Sequence, residues 1–182
     1  MAKNLDPNAI RLKESMEMHG KKEAGEKFSI ENFLEETADI NEKFAWAKKT
    51  CAFLEENFDD DTVKAIRMDC ACGPQYEWIQ SVKDAYDSAT DPEDFVEKTN
   101  ALELGYRLEF DGTSFYLIYP QCYCDFVNQV EDTLSKTWCY CTLGYTRKMF
   151  EYVLGKEVKV ELITSVKLGG KECRIKIEVI HE

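Results

Sequence analysis

Apolar residues in the first third of the chain recur at the spacing of an α-helix. From Ile40 to Phe58 they follow one another in steps of three or four, and Phe33 lies seven positions before Ile40. This is the period of an amphipathic helix with one face turned to the core, and it predicts a long helix over residues 30–58. Residues 1–27 mix charges with few apolar positions, which predicts a short helical arm.

Three further helices are predicted before the first strand. Asp59 can accept hydrogen bonds at the start of a helix that ends near Met68, and Asp91 can do the same for a helix that begins at Pro92. Between them, residues 76–86 carry apolar side chains at helical spacing.

The second half of the chain changes to the alternation of β-strands. Residues 105–110 and 113–119 are β-rich and are joined by Asp111-Gly112, a strong hairpin signal. Two more alternating runs lie at residues 158–162 and 173–179. The pattern predicts an α+β fold in which helices pack on a mainly antiparallel sheet of about four strands, with residues 28–182 as a single ligand-binding domain.

The charge of the chain limits its partners. Asp and Glu number 35 against 23 Lys and Arg, giving a formal net charge of -12. This charge opposes binding to phosphate backbones and to anionic membrane surfaces. With no secretory signal and no long apolar stretch, the sequence predicts a cytoplasmic protein that binds neither nucleic acid nor membrane.

Cysteine is the strongest chemical signal. Six of the eight cysteines form three Cys-x-Cys pairs: Cys70 with Cys72, Cys122 with Cys124, and Cys139 with Cys141. Cytoplasmic thiols are normally reduced, so metal binding explains the clustering better than a disulfide framework. The predicted cofactor is zinc, with an iron–sulfur cluster as the alternative. Thiol redox chemistry and simple packing are further alternatives, and packing fits Cys51 and Cys173 best.

A Cys-x-Cys pair can chelate a metal only outside regular helix. Residues i and i+2 point the same way in extended backbone, whereas in a helix they diverge by about 200°. The first pair is predicted at a helix end, the second follows Pro120, and the third precedes a helix over residues 143–154. We therefore expect at least two pairs to converge on one ion, with Asp69 and Asp125 beside them as hydrogen-bond acceptors, general bases or simple caps.

Aromatic residues crowd the segments that carry the second and third pairs. Tyr116, Tyr119, Trp138 and Tyr145 are among them. They predict a surface that encloses a flat or apolar ligand, with ordinary core packing as the alternative. The sequence assigns no catalytic residue.

Part of the chain resembles a known superfamily. The matching motifs are Cys139-Tyr-Cys-Thr-Leu-Gly-Tyr, Phe150-Glu-Tyr-Val-Leu-Gly155 and Gly169-Gly-Lys-Glu-Cys173. Their order resembles the C-terminal half of the four-vinyl-reductase type ligand-binding domain superfamily, whose relatives include the L-2-amino-thiazoline-4-carboxylic acid hydrolase-like proteins. The resemblance covers about residues 100–180.

This resemblance implies an α/β sandwich with an apolar pocket beneath the sheet. In this chain the pocket would be bordered by Trp138, Tyr145 and Phe150 and would hold a small organic ligand. Glu161 and Cys173 resemble two zinc ligands found in one branch of that superfamily. The hydrolase-like relatives imply the alternative function, opening of a thiazoline-like C–N ring. The expected partners are the small organic ligand and a second copy of the chain in a homodimer.

Overall fold

A computed structural model gives the structure of residues 4–72 and 76–180. These residues divide into two compact units. The first consists of the residues up to Ala71 together with Tyr123–Cys141, and the second of Cys72–Cys122 together with the residues from Thr142 onward.

The helices and strands have the following bounds in chain order. They are α1 Pro7–Met18, α2 Lys22–Glu31, α3 Ile40–Asn57, α4 Asp60–Asp69, α5 Tyr76–Asp87, α6 Pro92–Asn100, β1 Arg107–Phe110, β2 Phe115–Tyr119, α7 Lys136–Leu154, β3 Val158–Thr164 and β4 Cys173–Val179. A short 3-10 helix, Val166–Leu168, connects β3 to β4. The described helices include none that is long and apolar enough to cross a membrane.

Helix α3 begins later than the apolar spacing predicts. The segment expected to form one helix over residues 30–58 contains the end of α2, a connection and then α3. A carboxylate oxygen of Asp39 accepts hydrogen bonds from the backbone N–H groups of Asn41 and Glu42, at 2.8 and 2.9 Å, and Glu42 accepts from the backbone N–H of Asp39 at 2.8 Å. This reciprocal capping box fixes the start of the helix. The Trp46 indole N–H donates to the carbonyl of Asn32 at 2.8 Å and holds the connection against α3.

The core of the first unit is built from the apolar faces of α1 to α4. Leu12, Met16, Leu54 and Ile66 are each at most 1% exposed. Burial of side chains of this size is worth about 1.5–3 kcal/mol each and is the main force that holds such short helices in place.

The second unit contains an antiparallel sheet whose described strands lie in the order β1-β2-β4-β3. The β1–β2 hairpin forms where its sequence predicts, but it turns through residues 111–114, two residues more than the predicted Asp111-Gly112 turn. The φ angle of Gly112 is +92°, a left-handed conformation that glycine adopts at little cost. Asp111 accepts hydrogen bonds from the backbone N–H groups of Thr113 and Ser114 and so holds the turn.

One face of the sheet is covered by helices. Leu117 and Ile175 pair in register on this inner face and are fully buried. Phe115 lies on the same face, with ring centroids 5.7 Å from Phe95 of α6 and 6.4 Å from Phe150 of α7. The predicted α+β fold, with helices packed on an antiparallel sheet of four strands, is confirmed for the described residues.

Candidate functional site

The two members of the first cysteine pair differ in burial. Cys70 is the C-cap of α4, is 6% exposed, and its thiol donates to the carbonyl of Ile66 at 3.3 Å. Burial raises the pKa of Cys70, so this group is a protonated donor. Cys72 is exposed and belongs to the second unit.

The third pair lies inside a helix. Helix α7 begins at Lys136, not at residue 143 as predicted, so Cys139 and Cys141 are both helical residues. Their side chains leave the helix in directions about 200° apart and cannot share one ion. The thiol of Cys141 instead donates to the carbonyl of Trp138 at 3.4 Å.

The second pair lies in the connection between β2 and α7. Cys122 and Cys124 are both half-buried, and they are divided between the second and the first unit.

The predicted metal centre is not formed. Within residues 4–72 and 76–180, no group of three or more His, Cys, Asp or Glu side chains is placed to hold a metal ion. The zinc prediction and its iron–sulfur alternative are therefore wrong. The function built around the three pairs, including its thiol-redox alternative, is wrong as well. Helix geometry separates Cys139 from Cys141, burial separates Cys70 from Cys72, and Cys122 and Cys124 belong to different units.

The residues expected beside the metal have other roles. The Asp69 carboxylate accepts a hydrogen bond from His19 Nε2 at 2.8 Å, and Asp125 accepts weakly from Asn128 at 3.4 Å. Glu161 is exposed on β3. Cys173 opens β4, where its sulfur accepts from the backbone N–H of Val166 at 3.5 Å. The contacts of Asp69, Asp125 and Cys173 are therefore those of a helix end, a loop and a strand end.

A buried arginine that the sequence analysis missed lies among several of the thiols. Arg67 of α4 donates from Nε and Nη2 to the carbonyls of Thr137 and Trp138, at 3.2 and 2.9 Å, and its guanidinium lies 4.4 Å from the Trp138 ring. Burial by itself would lower the pKa of Arg67, but the surrounding cysteines, led by Cys70 and Cys141, raise it when they ionise at high pH, and the net shift is upward. Arg67 therefore remains charged and ties α4 to the start of α7 within the first unit.

Three tyrosines form a cluster in the second unit, which we call the phenol cluster: Tyr106, Tyr119 and Tyr145. The rings of Tyr106 and Tyr119 meet edge to face with centroids 5.9 Å apart. Tyr145 of α7 is near enough to both for its charge, if it ionised, to raise their pKa values. Tyr119 is next to Cys173 across the β2–β4 pairing, and Tyr145 is close to Cys72.

Burial dominates the acid–base properties of the phenol cluster. Desolvation is the largest cause that raises the pKa of Tyr106, of Tyr119 and of Tyr145. All three phenols are therefore neutral hydrogen-bond donors at physiological pH. The hydroxyl of Tyr106 is buried and has no hydrogen-bond partner among the described residues. Leaving such a group unpaired costs about 1–3 kcal/mol.

The other residues of the predicted ligand pocket lie elsewhere. Tyr116 is on the outer face of the sheet, where its hydroxyl donates to Asp111 at 2.8 Å and its ring lies 4.7 Å from the guanidinium of Arg174. Phe150 is 1% exposed and packs in the core of the second unit. Trp138 belongs to the first unit, with its ring stacked 5.3 Å from Phe126.

A family comparison covers almost the whole chain. The family described as "Family of unknown function (DUF6144)" matches residues 8–182. No curated protein is significantly similar to the chain in sequence.

Solved structures of H-NOX proteins show a distant similarity. A mutant H-NOX protein from S. oneidensis in the Fe(II) ligation state is 12% identical, with 98% of this chain and 97% of that chain covered at a TM-score of 0.48. An H-NOX protein from the same organism in the Fe(II)NO state is 12% identical, with 97% and 100% covered at a TM-score of 0.46. Similarity this weak assigns no function to the chain.

The resemblance to the four-vinyl-reductase type superfamily is wrong. The family whose model matches residues 8–182 is a different one. The hydrolase alternative, the opening of a thiazoline-like ring, depended on that resemblance and is wrong with it.

Proposed function

The chain belongs to DUF6144, a family of unknown function, and we propose that its second unit binds a small organic molecule at the phenol cluster. The observation that supports this most directly is the hydroxyl of Tyr106, which is buried without a partner among the described residues. Buried polar groups in native proteins are almost always hydrogen-bonded, so an unpaired donor points to a partner that is absent from the isolated chain.

The protonation of the phenol cluster defines the polar part of the ligand. Neutral phenols donate hydrogen bonds, so the ligand contributes an acceptor atom. The groups that shift the pKa values of the three phenols are one another, Cys72 and Cys173, with no lysine or arginine of the described chain among them. A carboxylate would be desolvated there without a countercharge. A ketone, ester or amide carbonyl fits the cluster better.

The surroundings define the apolar part of the ligand. Tyr119 shares the inner face of the sheet with Leu117, which is fully buried, and the pairing of β2 with β4 places Cys173 beside it. Apolar walls with a few converging donors are characteristic of small-molecule sites. The proposal keeps Tyr119 and Tyr145 from the pocket predicted by sequence and adds Tyr106.

A matched pair of probes tests the proposal. Acetophenone and α-methylstyrene have nearly the same shape, but only acetophenone carries a carbonyl acceptor. Ligand-observed NMR titrations should show that acetophenone binds about fivefold more tightly, which corresponds to one hydrogen bond worth about 1 kcal/mol. Tyr106→Phe should abolish this preference because it removes the donor but keeps the ring.

Tyr116→Phe is the control, since it removes a tyrosine hydroxyl from the outer face of the same sheet. It should leave the preference for acetophenone unchanged. Equal affinity of the two probes for the unmodified protein, or a preference that persists in Tyr106→Phe, would contradict the proposal.

The cytoplasmic location and the homodimer remain predictions from sequence. The formal net charge of -12 supports the expectation that the protein does not bind nucleic acid. Analytical ultracentrifugation of the purified chain measures its oligomeric state directly.

A further inference from the structure

A second concave site lies at the hairpin end of the same unit. It is a cleft of about 680 Å³, within the range of small-molecule sites. Its walls come from the α5–α6 connection, the β1–β2 turn, and the ends of α7 and β4. It shares no residue with the phenol cluster, so it stands independently of the function proposed above.

Aromatic rings form the apolar wall of this cleft. Phe110 and Phe115 both line it, with ring centroids 4.8 Å apart and planes tilted by 37°. Tyr86 lines it from α5 and is held edge to face against Phe95, with centroids 5.2 Å apart. The faces of such rings carry negative electrostatic potential and attract organic cations.

The ends of two helices add negative potential. Asp87 is the last residue of α5 and Leu154 the last residue of α7, and both line the cleft. The carbonyl groups at a helix C-terminus carry a partial negative charge, which favours a cation nearby.

Two carboxylates line the cleft, and each uses only part of its hydrogen-bonding capacity on the contacts described next. Asp87 forms a surface ion pair with Lys83 at 3.0 Å. Asp91 caps α6 by accepting from the backbone N–H of Asp94 at 2.8 Å, and its second oxygen is 3.4 Å from the Thr90 hydroxyl. The cap satisfies one N–H group at the N-terminus of α6, and the Asp91 carboxylate offsets part of the positive potential of that helix end.

One cation belongs to the lining itself, and two act on it from outside: Lys83 pairs with Asp87, and Lys98 donates to the carbonyl of Ser88, just after the end of α5, at 2.6 Å. Lys156 is the single lysine or arginine among the described residues that line the cleft, and it is exposed. The lining residues therefore carry two carboxylates and one ammonium group, and the two helix C-termini add to the negative potential of the carboxylates.

We propose that this cleft binds an organic ammonium ion. Its apolar body rests on Phe110 and Phe115, and its charged nitrogen lies beside Asp87 and Asp91. The ligand class is a primary amine joined by a short linker to an aromatic or aliphatic group.

The test compares 2-phenylethylammonium with 2-phenylethanol, a neutral molecule of the same length. Chemical-shift titrations of ¹⁵N-labelled protein should show the ammonium ion binding at least about fivefold more tightly, with shifts centred on the α5–α6 connection and the β1–β2 turn. Equal affinities, or shifts spread over the whole surface, would overturn the proposal.

The overall negative charge could attract any cation, and a matched pair of variants separates this effect from a site. Asp87→Asn and Asp84→Asn each remove one carboxylate from α5, but only Asp87 lines the cleft. Asp87→Asn should weaken binding of 2-phenylethylammonium at least about threefold, while Asp84→Asn, one helical turn farther away, weakens it clearly less. Equal weakening by both variants would mean attraction by net charge alone and would overturn the proposal. Both residues are exposed, so both variants should fold, which circular dichroism verifies.

Discussion

Replacing Tyr106 by Phe should make the ligand-free protein more stable. The hydroxyl of Tyr106 is buried without a partner among the described residues, while the ring makes an edge-to-face contact with Tyr119 at 5.9 Å. The substitution keeps the ring and removes only the unpaired group. An unsatisfied buried hydroxyl costs about 1–3 kcal/mol, so we expect the free energy of unfolding to rise by about 1–2 kcal/mol. For a chain of this length, each 1 kcal/mol corresponds to a rise of about 2–4 °C in Tm.

Urea unfolding followed by circular dichroism measures this change, after native mass spectrometry has verified that no ligand is bound. Tyr116→Phe is the matched control, because its hydroxyl donates to Asp111 at 2.8 Å and its loss should lower stability. The two Tyr→Phe variants should therefore shift stability in opposite directions. A clear loss of stability in Tyr106→Phe would mean that its hydroxyl is already satisfied in the ligand-free protein, and the argument for a ligand at the phenol cluster would fail.

Three further predictions concern local structure. Burial raises the pKa of Cys51 to about 12, so the folded state keeps a proton that the unfolded state releases above about pH 8.5. The free energy of unfolding should therefore fall as the pH rises between these two values. Urea titrations across this range should show a decrease that is steeper than in Cys51→Ala by about 1.4 kcal/mol per pH unit. Asp39→Ala should lower the free energy of unfolding by about 1 kcal/mol through loss of the capping box, whereas Lys49→Ala on the same helix should change it by less than about 0.5 kcal/mol. Equal losses for the two variants in denaturant titrations would argue against the capping role. Gly170→Ala should lower Tm, because a Cβ there would lie 2.3 Å from Thr164 Oγ1 and 2.9 Å from a backbone carbonyl oxygen. Adding Thr164→Ala should restore only part of the loss, and an unchanged Tm in Gly170→Ala would refute the steric argument.

Local signals predicted most elements of the fold. The Asp111-Gly112 turn and the flanking alternation predict the first hairpin because both depend on neighbouring residues alone. The error at α3 has a local cause as well. The apolar step from Phe33 to Ile40 fits a helix, but Asp39 and Glu42 have the spacing of a capping box, and that signal marks the true start. The pairing of β2 with β4 depends on contacts between distant segments, which no local pattern specifies.

The site was harder to predict than the fold because closeness in sequence does not produce closeness in space. Cys139 and Cys141 are two positions apart, yet the helix turns them away from each other. Arg67 could have been found from spacing, since it lies on the buried stripe formed by Val63, Ile66 and Cys70. The unpaired hydroxyl of Tyr106 had no sequence signal, because it is defined by the absence of a partner in three dimensions.

The pairing of β2 with β4 also has a consequence for synthesis on the ribosome. Strand β2 emerges with β1 beside it, but its other neighbour is translated only after α7 and β3. Until then one edge of β2 keeps unpaired backbone groups, while Phe115, Leu117 and Ile118, all buried in the finished fold, have only part of their cover. An open apolar edge of this kind is a template for pairing with another nascent chain. Translational pauses between β2 and β4 should therefore promote aggregation, and pauses before β1 should not.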